Sequence, residues 1–431
     1  MTHPIRPRAA IGVPLLLTLA LLSAMAPFAT DLYLPAFPEM VGDLSTSATG
    51  VQLSLTTFLI GAGAGQLVFG PLSDRFGRRL PLLIGTIGYV VVSVAAALAP
   101  SIEVLIALRL LQGVLGAAGM VIGRAIISDR ASGPEAARAF SIMMLVGGIA
   151  PIIAPFVGST LAEPLGWRGL LWIVAGAGLV AALAVIVIVR ETRDPALRRS
   201  TDHSDRTARR SELTSRRFIG GAVAYAFAFA TMMAYISASP FLYQEMMGLT
   251  TVQYGITFAL NAIALAAVSA VSAKLTRRVS VHRLAGVGLV VNLVSIIALV
   301  VLAVVGVAPL VLAIPILVAV GSLGLVLGNT TAIALAAVPS APGSASAALG
   351  ALQFLLAGAV TPLVSIAGEA TAVPLSVVML VASVVAWIGF ACIRESALPS
   401  GSTNQHLREA DAGQQELRPN ADLSDAAPIS A

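Results

Sequence analysis

Two apolar runs, each long enough to cross a bilayer, meet at residues 70–79, Gly-Pro-Leu-Ser-Asp-Arg-Phe-Gly-Arg-Arg. The flanks carry almost no charge, whereas Asp74, Arg75, Arg78 and Arg79 crowd the join. A cationic turn between two membrane-length segments must lie in water, and charge bias puts it on the cytoplasmic side. The rest of the chain repeats the apolar theme. Hydrophobic residues make up 57% and charged residues 11%, and mean hydropathy is +0.92. Soluble domains carry roughly a quarter charged residues, so a soluble globule is excluded. A transmembrane barrel would need about ten-residue alternating strands. The runs here approach twenty residues and do not alternate.

The apolar runs place twelve membrane spans, at about 12–36, 50–72, 80–99, 103–127, 137–161, 167–189, 217–239, 252–273, 283–305, 309–332, 343–367 and 372–393. The expected organisation is all-α. It has an N-terminal six-helix bundle (1–189), a polar cytoplasmic linker (190–216), a C-terminal six-helix bundle (217–395) and a disordered cytoplasmic tail (396–431). Arg6 and Arg8 precede the first run without a convincing cleavage site, so that run is read as a retained helix.

Of the 26 Lys and Arg residues, all but Arg109 and Arg168 fall on cytoplasmic segments or helix ends when both termini are inside. Glu39, Asp43, Glu103, Glu163, Glu245 and Glu369 occupy the outer loops. The pI near 9.9 therefore reports topology, and no nucleic-acid partner is implied. Lys274, Arg277 and Arg278 echo the first basic turn after the second span of the second half.

Asp31 and Arg109 stand inside apolar spans at matching depths. A lone charge in hydrocarbon is costly, so each needs a cavity or a partner. A carboxylate in such a cavity can load and release a proton as the cavity changes sides. On this reading Asp31 is the coupling or substrate-facing acid and Arg109 sets its protonation; the alternatives are a structural ion pair, or an Asp31 high enough to sit in outer water. Gln112 follows Arg109 on one helical face. Asn261, Asn329 and Gln353 are candidate cavity amides, although buried amides also bridge helices. Tyr33, Phe58 and Tyr235 offer rings to an aromatic substrate, against ordinary packing as the plainer reading. Asp74 in the basic turn is read as a gating contact that accepts a helix N-terminal dipole or an arginine of a neighbouring helix; Arg124, Asp129, Arg130 and Arg138 form a second basic, mixed-charge patch after the fourth span where its partners could sit, and the alternative is that the arginines only anchor topology. His3, His203, His282 and His406 lack metal-ligand spacing, and no phosphate-cradling loop occurs. Neither a cofactor nor a metal is expected, and no catalytic cluster argues for an enzyme.

These residues resemble a known family. The sequence from Gly70 through Asp74, Arg75, Gly77, Arg78 and Arg79 is similar to the signature turn of the major facilitator superfamily. Arg109-Leu-Leu-Gln112-Gly113 resembles its fourth-helix signature, whose arginine is associated with proton transfer. Gly147, Pro151, Pro155 and Gly158 resemble the antiporter motif of the fifth helix, with Ala150 and Ala154 where glycines are usual. Asp31-Leu-Tyr33-Leu-Pro35 and Ser344-Ala-Ser-Ala-Ala-Leu-Gly350-Ala-Leu-Gln353-Phe resemble the Bcr/CflA drug-resistance transporters. So do Tyr254-Gly-Ile-Thr-Phe-Ala-Leu-Asn261 and Gly328-Asn329. The resemblance implies a monomeric exporter in the bacterial inner membrane, driven by the proton gradient. Its substrates would be drug-like molecules such as chloramphenicol or bicyclomycin. A narrow metabolite or amino-acid-derivative exporter or symporter of the same fold stays open.

Overall fold

The computed structural model describes residues 11–131, 133–192, 211–338, 342–365 and 371–393. Linker positions 193–210 and everything beyond 393 lie outside the described residues, as do Arg6, Arg8 and Glu369. No strand occurs among the described residues.

The helices are α1 Val13–Asp31, a short α2 Phe37–Asp43, α3 Ala48–Phe76, α4 Arg79–Ala97, α5 Ile102–Arg130 and α6 Gly133–Ile188. After the linker come α7 Arg216–Pro240, α8 Thr251–Leu275, α9 Val281–Val305, α10 Ala313–Ala336, α11 Pro342–Val360 and α12 Val373–Ala391. Among the described residues eleven helical stretches are long and apolar enough to span a membrane. At 1.5 Å per residue, the 56 residues of α6 would run about 84 Å, far beyond a hydrocarbon core of about 30 Å. Gly166, at φ 64 and ψ 176, breaks it into two passes. That makes twelve, the number of apolar runs.

The turn expected over 70–79 is shorter than the charge pattern suggests. Helix α3 runs on through Pro71 to Phe76, and only Gly77 and Arg78 separate it from α4. Gly77 sits at φ 90, where a side chain would be strained.

Helices α1, α3, α4, α5 and α6 pack against one another, as do α7 through α12, and the two sets meet where α3 lies on α11 and α6 on α8. Close approach depends on small residues. A Cβ at Gly113 would collide with the Phe58 carbonyl oxygen, and one at Gly61 with that of Leu110, so α3 and α5 touch backbone to backbone. One buried apolar cluster runs from Tyr33, Phe37 and Phe58 across to Tyr235, Phe241 and Tyr254. It joins the halves at the end of the bundle that holds Asp31.

Candidate functional site

Asp31 is the last residue of α1 and is 3% exposed. Thr30 Oγ1 donates to Asp31 Oδ1 at 2.9 Å. The side chain lies within electrostatic reach of Tyr254 on α8, in the C-terminal half. Helix α1 stops here because Pro35 follows: the chain turns through a short 3-10 segment, Leu34–Ala36, into α2.

Arg109 is fully buried on α5. Its Nη2 donates to the Ala29 carbonyl at 3.0 Å and its Nη1 to Gln112 Oε1 at 2.6 Å. The guanidinium lies 4.6 Å from the Tyr33 ring centroid and 4.4 Å from that of Phe58. Desolvated contacts of this kind stabilise a cation by about 2 kcal/mol. Among the described residues no ion pair joins Arg109 to Asp31. The cation is instead held by a carbonyl in the last turn of α1, where the helix dipole is negative, and by two ring faces. Its contact with Asp31 is thus through two residues of backbone, which the depth argument could not foresee.

Behind Arg109, Gln112 Nε2 donates to Ser93 Oγ at 2.6 Å, and Ser93 Oγ donates to the Tyr89 carbonyl at 2.6 Å. Gln112 therefore orients Arg109 inside the N-terminal half. Tyr33 Oη pairs with Ser54 Oγ at 3.0 Å. Neither serine stood out in the sequence, where Ser is common and the all-apolar helices show no polar face.

Facing these groups is an aromatic cluster. Tyr235 stacks on Phe258 with centroids 5.9 Å apart and meets Tyr243 edge-on at 6.3 Å. Asn261 Nδ2 donates to Tyr243 Oη at 3.3 Å and to the Thr257 carbonyl at 2.8 Å, while its Oδ1 is buried without a partner. Tyr243 and Tyr254 belong to this cluster, and sequence reasoning passed over Tyr243. It lies in a π-helical turn, Phe241–Met246, that carries α7 on past Pro240. Two amides bridge the halves: Gln52 Nε2 donates to the Ser237 carbonyl at 3.1 Å, and Gln244 Nε2 to the Pro35 carbonyl at 3.0 Å.

Asn329 and Gln353 do not join this group. Asn329 Nδ2 donates to Ser272 Oγ at 2.9 Å and ties α10 to α8. Gln353 Oε1 accepts from Tyr225 Oη and ties α11 to α7. Gly147 and Gly158 let α6 settle on α1: Met143, one turn before Gly147, accepts from Ser23 Oγ at 3.2 Å, and a Cβ at Gly158 would strike the Leu32 carbonyl oxygen. Pro155 is buried beside them and Pro151 half-buried.

At the opposite end Arg78 is the hub. Its Nη1 reaches Asp74 Oδ1 at 2.7 Å and Ser73 Oγ at 2.8 Å; its Nε and Nη2 reach Asp129 at 2.8 and 3.3 Å. Burial alone would lower the guanidinium pKa, but hydrogen bonds and charge from Asp129, then Asp74, hold it above the ordinary value. Glu191 accepts from the backbone N–H groups of Arg78 and Arg79 at 2.9 and 3.2 Å and so caps α4. Asp74 thus pairs with the arginine of its own turn, four residues on, and Asp129 of the neighbouring helix shares that arginine. Arg79 Nη2 donates to the Ile186 carbonyl at 3.3 Å, Arg75 lies over Phe76, and a Cβ at Gly70 would meet Val121 only at ordinary contact distance. These contacts tie the ends of α3, α4, α5 and α6, all within the N-terminal half.

The sequence model of the Major Facilitator Superfamily matches residues 19–362. The chain belongs to this superfamily. It is 34% identical over 376 residues to an uncharacterized MFS-type transporter, YdgK, of Bacillus subtilis, covering 86% of this chain and 93% of the relative. It is 28% identical over 369 residues to a bicyclomycin resistance protein homolog of Haemophilus influenzae, with 84% and 91% covered. Its fold matches the crystal structure of a D-xylose-proton symporter with a TM-score of 0.71 at 13% identity, covering 87% of this chain and 97% of the other. Members of the superfamily are secondary transporters. The chain is accordingly a multi-pass membrane protein that moves small molecules across a bilayer by alternating access, not an enzyme.

Proposed function

We propose that the chain is a proton-coupled exporter of drug-like small molecules, of the Bcr/CflA kind, working as a monomer in the bacterial inner membrane. The Arg78 end and both chain termini face the cytoplasm, in keeping with the basic residues there. The observation that carries the reading is Asp31. It is a buried carboxylate at the junction of the halves, with no cation paired to it among the described residues. An ionised, unpaired carboxylate in an apolar site is costly, so the group favours binding a proton when enclosed and losing it when the site opens to water. Arg109, fixed by the Ala29 carbonyl, bears on Asp31 through the last turn of α1. The resistance-protein relative supports export of antibiotics such as bicyclomycin.

Proton entry at Asp31 would favour return to the inward-facing state, and its loss inside would accompany substrate loading. The Tyr235, Tyr243, Tyr254 and Phe258 rings offer stacking surface, with Asn261 Oδ1 as an acceptor. The test is transport in proteoliposomes under an imposed pH gradient, with chloramphenicol-like neutral compounds and fluorescent cations. Gradient-driven uptake that Asp31→Asn abolishes, with the protein still inserted, supports the proposal. Coupled transport at the normal rate in Asp31→Asn refutes it.

A further inference from the structure

Arg124 is a cation between the two halves with no carboxylate paired to it among the described residues. It lies on α5, half-buried, six residues before the helix ends at Arg130. Its Nε donates to the Met120 carbonyl at 3.0 Å, one turn back. Its two terminal nitrogens reach Ser346 Oγ on α11 and Gln66 Oε1 on α3, each at 3.4 Å. Both contacts are long, at the edge of what counts as a hydrogen bond. Ion pairs among the described residues involve Arg78 and Arg168, not Arg124, and Asp129, five residues along the same helix, is taken by Arg78. Tyr225 lies within electrostatic reach, but its hydroxyl proton goes to Gln353.

A second observation points to the same place. Gln66 is 1% exposed, and its Nε2 has no hydrogen-bond partner. The amide rests against Gly350, whose missing side chain makes the room: a Cβ there would run into Gln66 Oε1. A buried unpaired donor and an unanswered cation in an apolar span both cost stability. Together they gather a guanidinium, a hydroxyl and an amide, shared by both halves; the amide turns its Oε1 to Arg124, and half a turn about its own axis would bring the unpaired N–H2 to the same side as a second donor. Such a set fits an oxyanion.

We infer that Arg124, Gln66 and Ser346 bind a carboxylate of the transported molecule. The transported class then includes, beside the neutral compounds above, small amphiphiles with an apolar or aromatic body and one carboxylate. One cation matches one negative charge, whereas a phosphate monoester would leave a second charge unanswered. A carboxylate held from α3, α5 and α11 at once would report its presence to both halves. The inference rests on the export reading above, but its test does not use transport.

The experiment measures binding to the purified full chain in detergent, without a pH gradient, by tryptophan fluorescence and thermal shift. The probes are N-acetylphenylalanine, 4-phenylbutyrate and indole-3-propionate, each against its primary amide. In the wild type at least one acid binds tenfold or more tightly than its amide. Arg124→Gln abolishes that preference, Arg124→Lys keeps part of it, and Gln66→Leu weakens it threefold or more. If Arg124→Gln does not fold, the Lys and Leu variants decide. Equal binding of acid and amide in all three pairs overturns the inference, as does a preference untouched by the folded variants. Loss of proton coupling in Asp31→Asn leaves this readout unaffected, so the two proposals fail separately.

Discussion

Replacing Arg78 by alanine removes the side chain that ties the ends of α3 and α5 to the start of α4, while the backbone bond to Glu191 stays, and the structure apportions the loss. Asp74 is 56% exposed at its side chain, so its ion pair contributes at most about 1 kcal/mol. Asp129 is only 21% exposed and accepts two hydrogen bonds from a guanidinium that is itself 7% exposed. Taking away one partner of a buried pair costs about 3–5 kcal/mol. Partial exposure and the remaining bond from Thr192 Oγ1 reduce that here to about 2–3 kcal/mol. With the Ser73 bond, the total is about 3–5 kcal/mol. At about 2–4 °C per kcal/mol for a unit the size of one half, melting falls by about 10 °C. The assay heats the purified protein in micelles and measures the monodisperse fraction left by size-exclusion chromatography. Asp129→Asn should cost nearly as much, the double variant little more than either, and Asp74→Asn no more than about 3 °C. Fully additive losses in the double variant would refute the shared-contact argument. So would an Asp74→Asn loss equal to that of Arg78→Ala.

Gly113→Val should prevent the contact of α3 with α5, since even a Cβ meets the Phe58 carbonyl; an overpacking cost of about 1–3 kcal/mol or more predicts reduced folded yield, read by fluorescence-detected chromatography. In a Cys392→Ser background, which removes the one cysteine, a flexible cross-linker between Gln52→Cys and Ser237→Cys should halt transport until the link is reduced. Transport that continues in fully cross-linked protein would show that this junction does not part during the cycle.

The spans were legible because about twenty uncharged apolar residues leave a chain few choices, and Arg109 because a charge in such a run is conspicuous. The partners were not. Ser93 and Ser54 touch the Arg109 cage from other helices, and nothing local distinguishes them from serines elsewhere. Glu191 caps α4 from more than a hundred residues away. Asn261 and Asn329 look alike in sequence, yet one reaches an aromatic cluster and the other ties two helices. Arg124 read as part of a basic patch after its span because the apolar run stops near it; the helix in fact continues to Arg130 and carries the residue between the halves.

The two amide bridges at the Asp31 end share a property with a bearing on divergence. Gln52 and Gln244 both donate to main-chain carbonyls, those of Ser237 and Pro35. A backbone acceptor survives most substitutions at its own position. Residues around the two bridges can therefore drift, and with them the molecules accepted, while the bridges themselves stay unchanged. Selection for a new cargo and retention of a working cycle then need not conflict at these positions.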